Sequence, residues 1–340
     1  MNTTPKTLIA ALAVSTLALS ACAGSGTSDS GDATEGQTQP VTLMLNWYPY
    51  GEHAPFYYGV QEGIFEKHGI DLQIEAGQGS TKTVQAVGQG HADFGWADTP
   101  ALLSNIDKGV KVKSLGVYLQ TTPSAVQVFE DSGITSVEDL KGKTIAVSAG
   151  DAPTTTFPLF LDAAGLAEGD VQQQSLDPAG KMSATLSGQV DGLIGFAHDQ
   201  GPTLAHQAGK PMTYLRYADH GVNFYSNGLI SSDSTLSENP EQAKAVMAAV
   251  SESFEAAIEN PDEAAKSMEG KDPQIPDQEV VLDQWTETIN LLTTENTEGQ
   301  KPGVNDPADW ESTLEVLSGA GLIAPDGEIS TYYDDQHQPE

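Results

Sequence analysis

Residues 41–68 read VTLMLNWYPYGEHAPFYYGVQEGIFEKH, an order that predicts a strand, then an aromatic turn, then a helix. Residues 41–45 form an apolar run of the length of a buried strand, and Phe56, Val60 and Ile64 are spaced for one helix face. In an open α/β sheet, ligands bind beyond the carboxyl ends of the strands. The turn is therefore expected to form the first wall of a pocket for a small, flat molecule. Its candidate ligand contacts are Asn46, Trp47, Tyr48, Tyr50 and His53.

The N-terminal segment has the pattern of a secretory signal of the lipoprotein kind. Lys6 precedes an apolar run over residues 8–19 that is too short to span a bilayer as a helix, and small residues then precede Cys22. We therefore expect residues 1–21 to be a signal peptide and Cys22 to carry a lipid after cleavage. Residues 22–40 are rich in Gly, Ser, Thr and acidic residues, which predicts a flexible tether between the membrane and the folded part.

The composition is strongly acidic, with 48 acidic and 15 basic residues and a formal net charge of −33. Nucleic-acid binding needs a basic surface, so this charge argues against a nucleic-acid partner. Cys22 is the only cysteine in the sequence, so no intramolecular disulfide is expected. After the tether, no apolar stretch reaches the length of a transmembrane helix.

Strand and helix patterns alternate in two successive rounds, which predicts two α/β lobes with parallel sheets, followed by a helical C-terminal part. Lobe two is expected over residues 124–222. Lobe one is expected over residues 41–123 together with residues 227–335, because the C-terminal part is too poor in strands to form its own sheet. The chain would cross between the lobes near residues 120–124 and near residues 221–227. A cleft between two lobes joined by two segments is typical of a hinge-bending ligand-binding protein.

Further polar and aromatic residues follow other predicted strands, where they would face the same cleft. Ser80 or Thr81 and Asp98 are also candidate helix N-caps, and Trp96 is of a type that usually lies in the core. We expect roughly half of the polar set to contact a ligand, the rest being caps or surface residues. These additional candidates are Gln78, Ser80, Trp96, Asp98, Gln120, Asp151, Phe196, Asp199, Asn223 and Tyr225.

The two histidines near the predicted cleft lack the spacing of metal ligands. No second histidine or paired cysteine is near His53 or His198 in the sequence. Neither a metal site nor a cofactor is therefore expected. A hydrogen-bonded structural role is favoured for His198, whereas His53 suits ligand contact and a structural role equally well.

A set of short motifs runs through nearly all of residues 41–260. They are LNWYP at 45–49, His53, GIF at 63–65, GID at 69–71, GQGHADF at 88–94, DLKGK at 139–143, VDGLIGF at 190–196 and ADHGVNFY at 218–225. Together they resemble motifs of the solute-binding proteins of ABC importers, and the closest group resembles those that bind the thiamine pyrimidine precursor. Wider relatives bind nitrate, aliphatic sulfonates and taurine.

The resemblance implies a type II periplasmic-binding fold, with two α/β lobes that close on a ligand held between them. It also implies a permease and an ATPase as partners, a location outside the cytoplasm, and a monomer. In the pyrimidine binders the first turn supplies aromatic contacts, which corresponds to Trp47, Tyr48 and Tyr50. An acidic residue after a lobe-two strand is implied to hydrogen-bond the aminopyrimidine edge, and Asp199 is the nearest candidate, although the spacing after Phe196 departs from the family pattern.

Two other functions remain open at this point. Binding of a sulfonate, taurine or nitrate would favour an arginine in the cleft, but Arg216 is the only arginine in the chain. The fungal pyrimidine synthase, a fold relative that this chain resembles in the first turn, carries a cysteine-rich iron-binding motif that is absent here. The sequence also contains no GxSxG, HExxH or Walker motif. A binding protein that captures a flat heteroaromatic molecule is therefore the favoured interpretation, and an enzyme is not.

Overall fold

The computed structural model describes residues 38–149, 151–325 and 327–339. The expected signal peptide over residues 1–21 and the expected lipidation site Cys22 lie outside the described residues, as does most of the expected tether. Among the helices of the described part, none combines the length and apolar character needed to cross a membrane.

Two five-stranded sheets organise the described residues, one with the order β2-β1-β3-β10-β4 and the other with the order β7-β6-β8-β5-β9. In chain order the strands are β1 Gln39–Met44, β2 Ile70–Glu75, β3 Phe94–Asp98, β4 Val112–Val117, β5 Ser124–Phe129, β6 Thr144–Val147, β7 Gln172–Ser175, β8 Gly192–Phe196, β9 Met212–Arg216 and β10 Asn227–Ser232. We call the parts built on these two sheets lobe one and lobe two. The strand order of lobe two repeats that of lobe one.

The expectation of purely parallel sheets is wrong for one strand in each lobe. β10 runs antiparallel to β3 and β4, and β5 runs antiparallel to β8 and β9. The pairs that β1 and β6 form with their neighbours are parallel, as expected. β5 and β10 are each the first strand after a crossover between the lobes. Parallel strands such as β1 and β3 end at the cleft, whereas a strand that enters from a crossover begins there, so its direction is reversed.

Helices cover both faces of each sheet, as alternating strand and helix patterns predict. In chain order they are α1 Ala54–Gln61, α2 Ile64–Lys67, α3 Ser80–Gly88, α4 Thr99–Asp107, α5 Ala152–Ala163, α6 Pro178–Leu186, α7 Gln200–Ala208, α8 Asp233–Glu238, α9 Pro240–Glu259, α10 Pro261–Lys266, α11 Gln278–Ile289, α12 Pro307–Gly319 and α13 Ile329–Tyr332. A short 3₁₀ helix at Gly51–His53 precedes α1.

The predicted helix face of Phe56, Val60 and Ile64 is wrong at Val60. Gly63, with a φ of 68°, separates α1 from α2 and changes the helical phase between Val60 and Ile64. As a result, Ile64 is buried but Val60 is 42% exposed.

The core of lobe one is aromatic and includes helices from the C-terminal part of the chain. Trp96 on β3 is fully buried, with its ring 5.1 Å from that of Phe56 in α1 and 5.6 Å from that of Phe254 in α9. Trp285 in α11 packs on the other side of Phe254, with the ring centroids 5.9 Å apart. The segment that follows lobe two in sequence therefore packs back onto lobe one.

The two crossovers between the lobes lie side by side. The Asn223 side-chain oxygen accepts a hydrogen bond from the backbone N–H of Thr122 at 2.8 Å. The backbone N–H of Ser226 donates to the carbonyl oxygen of Leu119 at 2.9 Å. Gln120 joins the first crossover to the C-terminal part, because its side-chain amide donates to the carbonyl oxygen of Val304 at 2.7 Å. The lobes are thus connected through a pair of hydrogen-bonded segments.

Candidate ligand-binding site between the lobes

A cavity of about 1100 Å³ lies between the two lobes, at the carboxyl ends of the parallel strands. This is the position that the sheet topology favours for ligands. Most of the predicted contacts line it: Asn46, Trp47, Tyr48, Tyr50, Gln78, Ser80 and Asp98 from lobe one, and Asp151, Phe196 and Asp199 from lobe two. The remaining candidates, His53, Trp96, Gln120, Asn223 and Tyr225, are described residues that lie outside the lining.

The aromatic wall of the cavity comes from the turn after β1. The rings of Trp47 and Tyr48 are tilted at 45° to each other with centroids 5.1 Å apart, and Trp47 is partly exposed. Two backbone bonds fasten this turn to the loop after β2: Gly77 N–H donates to the Trp47 carbonyl at 2.9 Å, and Gly79 N–H donates to the Asn46 carbonyl at 2.7 Å. The wall is therefore held in place by backbone before any ligand arrives.

His53 lies behind this wall rather than in it. The ring is fully buried, its Nε2 is 2.8 Å from the Asn46 side-chain oxygen, and its Nδ1 accepts the Tyr50 backbone N–H at 3.3 Å. Burial lowers the pKa of His53 to about 4, although the nearby Glu52 carboxylate opposes that shift. A neutral His53 therefore orients two residues that line the cavity.

Trp96 lies in the core of lobe one, where buried tryptophan residues usually lie. Its ring N–H donates to the carboxylate of Glu52, a fully buried residue that sequence analysis missed. Burial alone would raise the pKa of Glu52, but the hydrogen bond and charge of His198 outweigh it and bring the pKa to about 2. The only sequence signal for Glu52 is an acidic residue inside an aromatic and apolar turn.

The candidates from the two crossovers serve to join segments of the chain. Asn223 bonds the neighbouring crossover, and the Gln120 side chain is held between Val304 and Thr297 of the C-terminal part. Tyr225 is buried, and its ring meets that of Trp310 edge-on at 5.2 Å. These residues lie where the lobes would hinge, outside the cavity itself.

The N-cap of α3 is not the expected Ser80 or Thr81. Gly79 is the N-cap residue, and Ser80 is the first residue of the helix. The Ser80 hydroxyl instead accepts the backbone N–H of Asp98 at 3.0 Å. Asp98 does occupy the N-cap position of α4, but its carboxylate accepts the Ser226 hydroxyl at 2.9 Å rather than a helix N–H.

Two carboxyl groups with raised pKa values face the cavity from opposite lobes. Burial raises the pKa of Asp98 to about 7, although the Ser226 hydroxyl partly offsets the effect. Burial likewise raises the pKa of Asp199 to about 6, although His198 and Lys181 act in the opposite direction. A ligand that donates hydrogen bonds or carries positive charge would stabilise the ionised form of both groups.

Acidic groups outnumber basic ones around the cavity. Asp151 and Asp177 also line it, and each accepts a helix N–H as the N-cap of α5 or α6, at 2.8 Å and 2.7 Å respectively. The basic residues of the lining are Lys82 and Lys108. Arg216 lies outside the lining and forms an ion pair with Glu287 at 2.5 Å. An anionic ligand would thus meet carboxylates without an arginine to bind it.

Two polar residues next to the cavity wall could not be recognised from the sequence. Lys181 in α6 is buried, donates to the Ile194 carbonyl at 2.7 Å and lies 3.6 Å from the Asp151 carboxylate, behind the lobe-two wall. Gln284 in α11 accepts the Gly51 N–H at 2.9 Å and donates to the Asp199 carbonyl at 3.1 Å, so it connects the lobes. Both residues lie on regular helices, which carry no local signal of a site.

Two lobes of identical strand order, with a cavity between them and paired crossovers, define the two-lobed fold of periplasmic binding proteins. Solved structures agree on this fold. The periplasmic aliphatic sulphonate binding protein SsuA from Escherichia coli has a TM-score of 0.68 at 16% identity, covering 88% of this chain and 94% of SsuA.

The chain belongs to the NMT1/THI5-like family, whose profile matches residues 51–264. Among curated relatives, the formylaminopyrimidine-binding protein of Halalkalibacterium halodurans is 27% identical over 288 residues, which cover 82% of this chain and 84% of the relative. A 4-amino-5-hydroxymethyl-2-methylpyrimidine phosphate synthase of Legionella pneumophila is 26% identical over 308 residues, covering 88% of this chain and 92% of the relative. The curated relatives of this chain thus include a protein named as a binding protein and a protein named as an enzyme.

Proposed function

We propose that this protein is the extracytoplasmic solute-binding component of an ABC importer and that it captures a small, flat heteroaromatic molecule resembling the thiamine pyrimidine precursor. The observation that carries the proposal is the composition of the cavity. Aromatic rings of the first turn lie on one lobe, Phe196 and Asp199 lie on the other, and Arg216 lies outside. The name of the Halalkalibacterium relative supports the same ligand class.

Each part of the lining has a role in the proposed complex. A ring placed against Trp47 or Tyr50 would gain about 0.5–1.5 kcal/mol per aromatic pair beyond the burial of its area. The ring edge would donate to Asp199, and other polar lining residues would pair with its remaining heteroatoms. Pairing matters because a buried polar group without a partner costs about 1–3 kcal/mol. The proposed contacts are the lining residues Asn46, Trp47, Tyr48, Tyr50, Gln78, Ser80, Asp98, Asp151, Phe196 and Asp199.

Ligand binding would favour the closed arrangement of the lobes, because both lobes contribute contacts. Lobe one would comprise residues 41–123 and 227–335, and lobe two residues 124–222, a division that the membership of the two sheets supports. The closed form would then deliver its ligand to a permease, with ATP hydrolysis on a separate subunit. No catalytic step is proposed, and the protein would act as a monomer.

Attachment to the membrane through a lipid on Cys22 is the remaining part of the proposal, and the sequence pattern around Cys22 supports it. Growth of the expressing cells with a radiolabelled or clickable fatty acid tests the attachment directly. The wild-type chain should incorporate the label and Cys22→Ser should not. Equal labelling of both proteins would contradict the anchor and leave the ligand-binding proposal untouched.

Thermal shift followed by calorimetry on the full chain tests the ligand class. Formylaminopyrimidine should raise the melting temperature, since a ligand at about 100 times its Kd stabilises the folded state by roughly 2.7 kcal/mol. Riboflavin tests a larger flat ring, and taurine and nitrate test the anion alternative. A shift with taurine or nitrate alone would contradict the heteroaromatic ligand. Recovery of the pyrimidine chemically changed, by mass spectrometry, would contradict a pure binding role.

A further inference from the structure

Glu52 is a buried carboxylate whose hydrogen-bond donors come from both lobes. Within lobe one, the Trp96 ring N–H and the Tyr50 hydroxyl donate to it, and the Asn227 amide lies 2.7 Å and 2.9 Å from its two oxygens. From lobe two, the Nε2 atom of His198 lies 2.5 Å from its Oε2 atom. Both Glu52 and His198 are fully buried.

The His198 ring also lies between aromatic rings of the two lobes. Its centroid is 5.7 Å from that of Tyr50 in lobe one, and its Nε2 atom is 3.3 Å from the Tyr50 hydroxyl. It stacks on Phe196 of its own lobe at 5.7 Å with an interplanar angle of 24°. Tyr50 and Phe196 both line the cavity. The Glu52–His198 pair therefore lies directly behind the two aromatic surfaces that would enclose a ligand.

The ion pair that Arg216 and Glu287 form between the lobes is less enclosed. Arg216 and Glu287 are 2.5 Å apart, but their side chains remain 22% and 27% exposed. Water can replace an exposed contact at little cost, whereas a buried carboxylate that loses a donor keeps an unsatisfied charge. An increase in the distance between the lobes would thus cost more free energy at the Glu52–His198 pair than at the ion pair at the surface.

We propose that Glu52 and His198 are positioning residues for ligand capture, whose hydrogen bond forms when lobe two lies against lobe one and fixes the Tyr50 ring in the cavity wall. The role of Tyr50 rests on the proposed function, namely that the cavity binds a ligand. The effect on the distance between the lobes does not depend on the identity of that ligand. Glu52 acts through Tyr50 and His198 and is not itself part of the cavity lining.

Pulsed electron–electron double resonance on the ligand-free full chain measures the distance between the lobes and so tests the effect of the pair. Cys22→Ser provides a cysteine-free background, and spin labels are attached at Lys108→Cys and Ala179→Cys, exposed positions that line the cavity from opposite lobes. The parent should show a short-distance population. Glu52→Gln and His198→Phe should both deplete it, and the double variant should deplete it no further, because either change removes the same charge-assisted bond between the lobes. His198→Phe keeps a ring for stacking on Phe196.

Tyr332→Phe is the matched control. It removes a hydrogen bond from a buried tyrosine to a carboxylate, at 2.7 Å from Asp107, but both residues belong to lobe one. It should leave the distance distribution unchanged at comparable loss of melting temperature. An unchanged distribution in both Glu52→Gln and His198→Phe, or additive effects in the double variant, would overturn the proposal. Should Glu52→Gln fail to fold, His198→Phe alone decides between these outcomes.

Affinity for formylaminopyrimidine, measured without labels, tests the link to Tyr50. Glu52→Gln and His198→Phe should each weaken binding by about tenfold, and Tyr332→Phe should not. If no variant and no parent binds formylaminopyrimidine, the ligand class is wrong, while the distance measurement still tests the pair. If the parent binds and both variants bind equally well, the positioning role is wrong although the ligand class is right.

Discussion

At the scale of single residues, Glu52 and Asp98 show that burial alone does not decide whether a carboxyl group is ionised. Both are buried, yet the pKa of Glu52 falls to about 2 and that of Asp98 rises to about 7. Glu52 is surrounded by donors, including His198 at 2.5 Å, whereas Asp98 accepts the Ser226 hydroxyl and lies near the negative charge of Glu52. Donors aimed at the carboxylate make the difference.

The raised pKa of Asp98 predicts how its replacement changes stability with pH. A carboxyl group whose folded pKa is raised contributes stability below its ordinary pKa of 3.8 and loses that contribution as the pH rises through about 7. Asp98→Asn should therefore be more stable than the parent near pH 8, by an amount on the order of 2–4 kcal/mol, and equal to it near pH 4. Urea unfolding at both pH values measures this. A difference independent of pH would contradict it.

Asp199 gives a related prediction for binding. Its pKa of about 6 means that it is partly protonated below neutral pH, when it is a weaker acceptor for a ligand amino group. Affinity for formylaminopyrimidine should rise between about pH 5 and pH 8, and Asp199→Asn should reduce this dependence. Calorimetry in buffers of matched ionic strength measures both. The same pH profile in parent and variant would remove Asp199 from the ligand edge.

Trp47 lines the cavity, is partly exposed and has Tyr48 as its ring contact. Trp47→Ala should lower affinity for formylaminopyrimidine about tenfold or more while leaving the melting temperature of the free protein nearly unchanged. Trp47→Phe should retain most of the affinity because it keeps a ring. Equal affinity of Trp47→Ala and the parent would exclude this residue from the site.

At the scale of elements, the loop after β2 forms the cavity wall together with the turn after β1. A Cβ atom on Gly77 would lie 1.8 Å from the carbonyl oxygen of Leu45, so only glycine permits this approach. Gly77→Ala should therefore displace the wall, lower the free energy of unfolding by about 1–3 kcal/mol and weaken ligand binding. Gly169→Ala is the control, since a Cβ there meets nothing within 4 Å. Equal stability of both variants would contradict the close packing.

The sequence located the first strand closely, because an apolar run is a local signal. Residues 41–45 predict a strand, and β1 spans Gln39–Met44. The predictions that were wrong concern features that local sequence patterns do not determine. The reversed direction of β5 and β10 depends on where the chain enters each sheet, and the exposure of Val60 depends on a break at Gly63. The spacing of apolar residues indicates neither the strand direction nor the helix break.

The same limit applies to the site. The position of Trp47, Asp98 and Asp199 at strand ends was enough to predict that they line one cavity, as they do. It could not tell that Trp96 points into the core of lobe one, because successive side chains of a strand face opposite sides and both sides are buried. Nor could it reveal Glu52, whose partner His198 is 146 residues away in the sequence.

At the scale of the whole molecule, the two crossovers are hydrogen-bonded segments that join the lobes. The Asn223 side-chain oxygen accepts the Thr122 backbone N–H at 2.8 Å, and its amide lies 3.4 Å from the Gln120 carbonyl, so one side chain ties both crossovers together. Thr122 is buried, so its N–H has no easy alternative partner in water. Two segments joined in this way should bend as one unit.

Removal of that tie should therefore loosen the connection without altering the cavity lining. Asn223→Ala leaves the buried Thr122 N–H unpaired, which should cost about 1–3 kcal/mol of stability and speed hydrogen exchange at residues 120–124. Asn223→Asp keeps an acceptor oxygen at the same position and should restore slow exchange there. Hydrogen-exchange mass spectrometry on the ligand-free protein measures both variants. Slow exchange in Asn223→Ala would mean that the backbone pairing of Ser226 with Leu119 holds the crossovers together by itself.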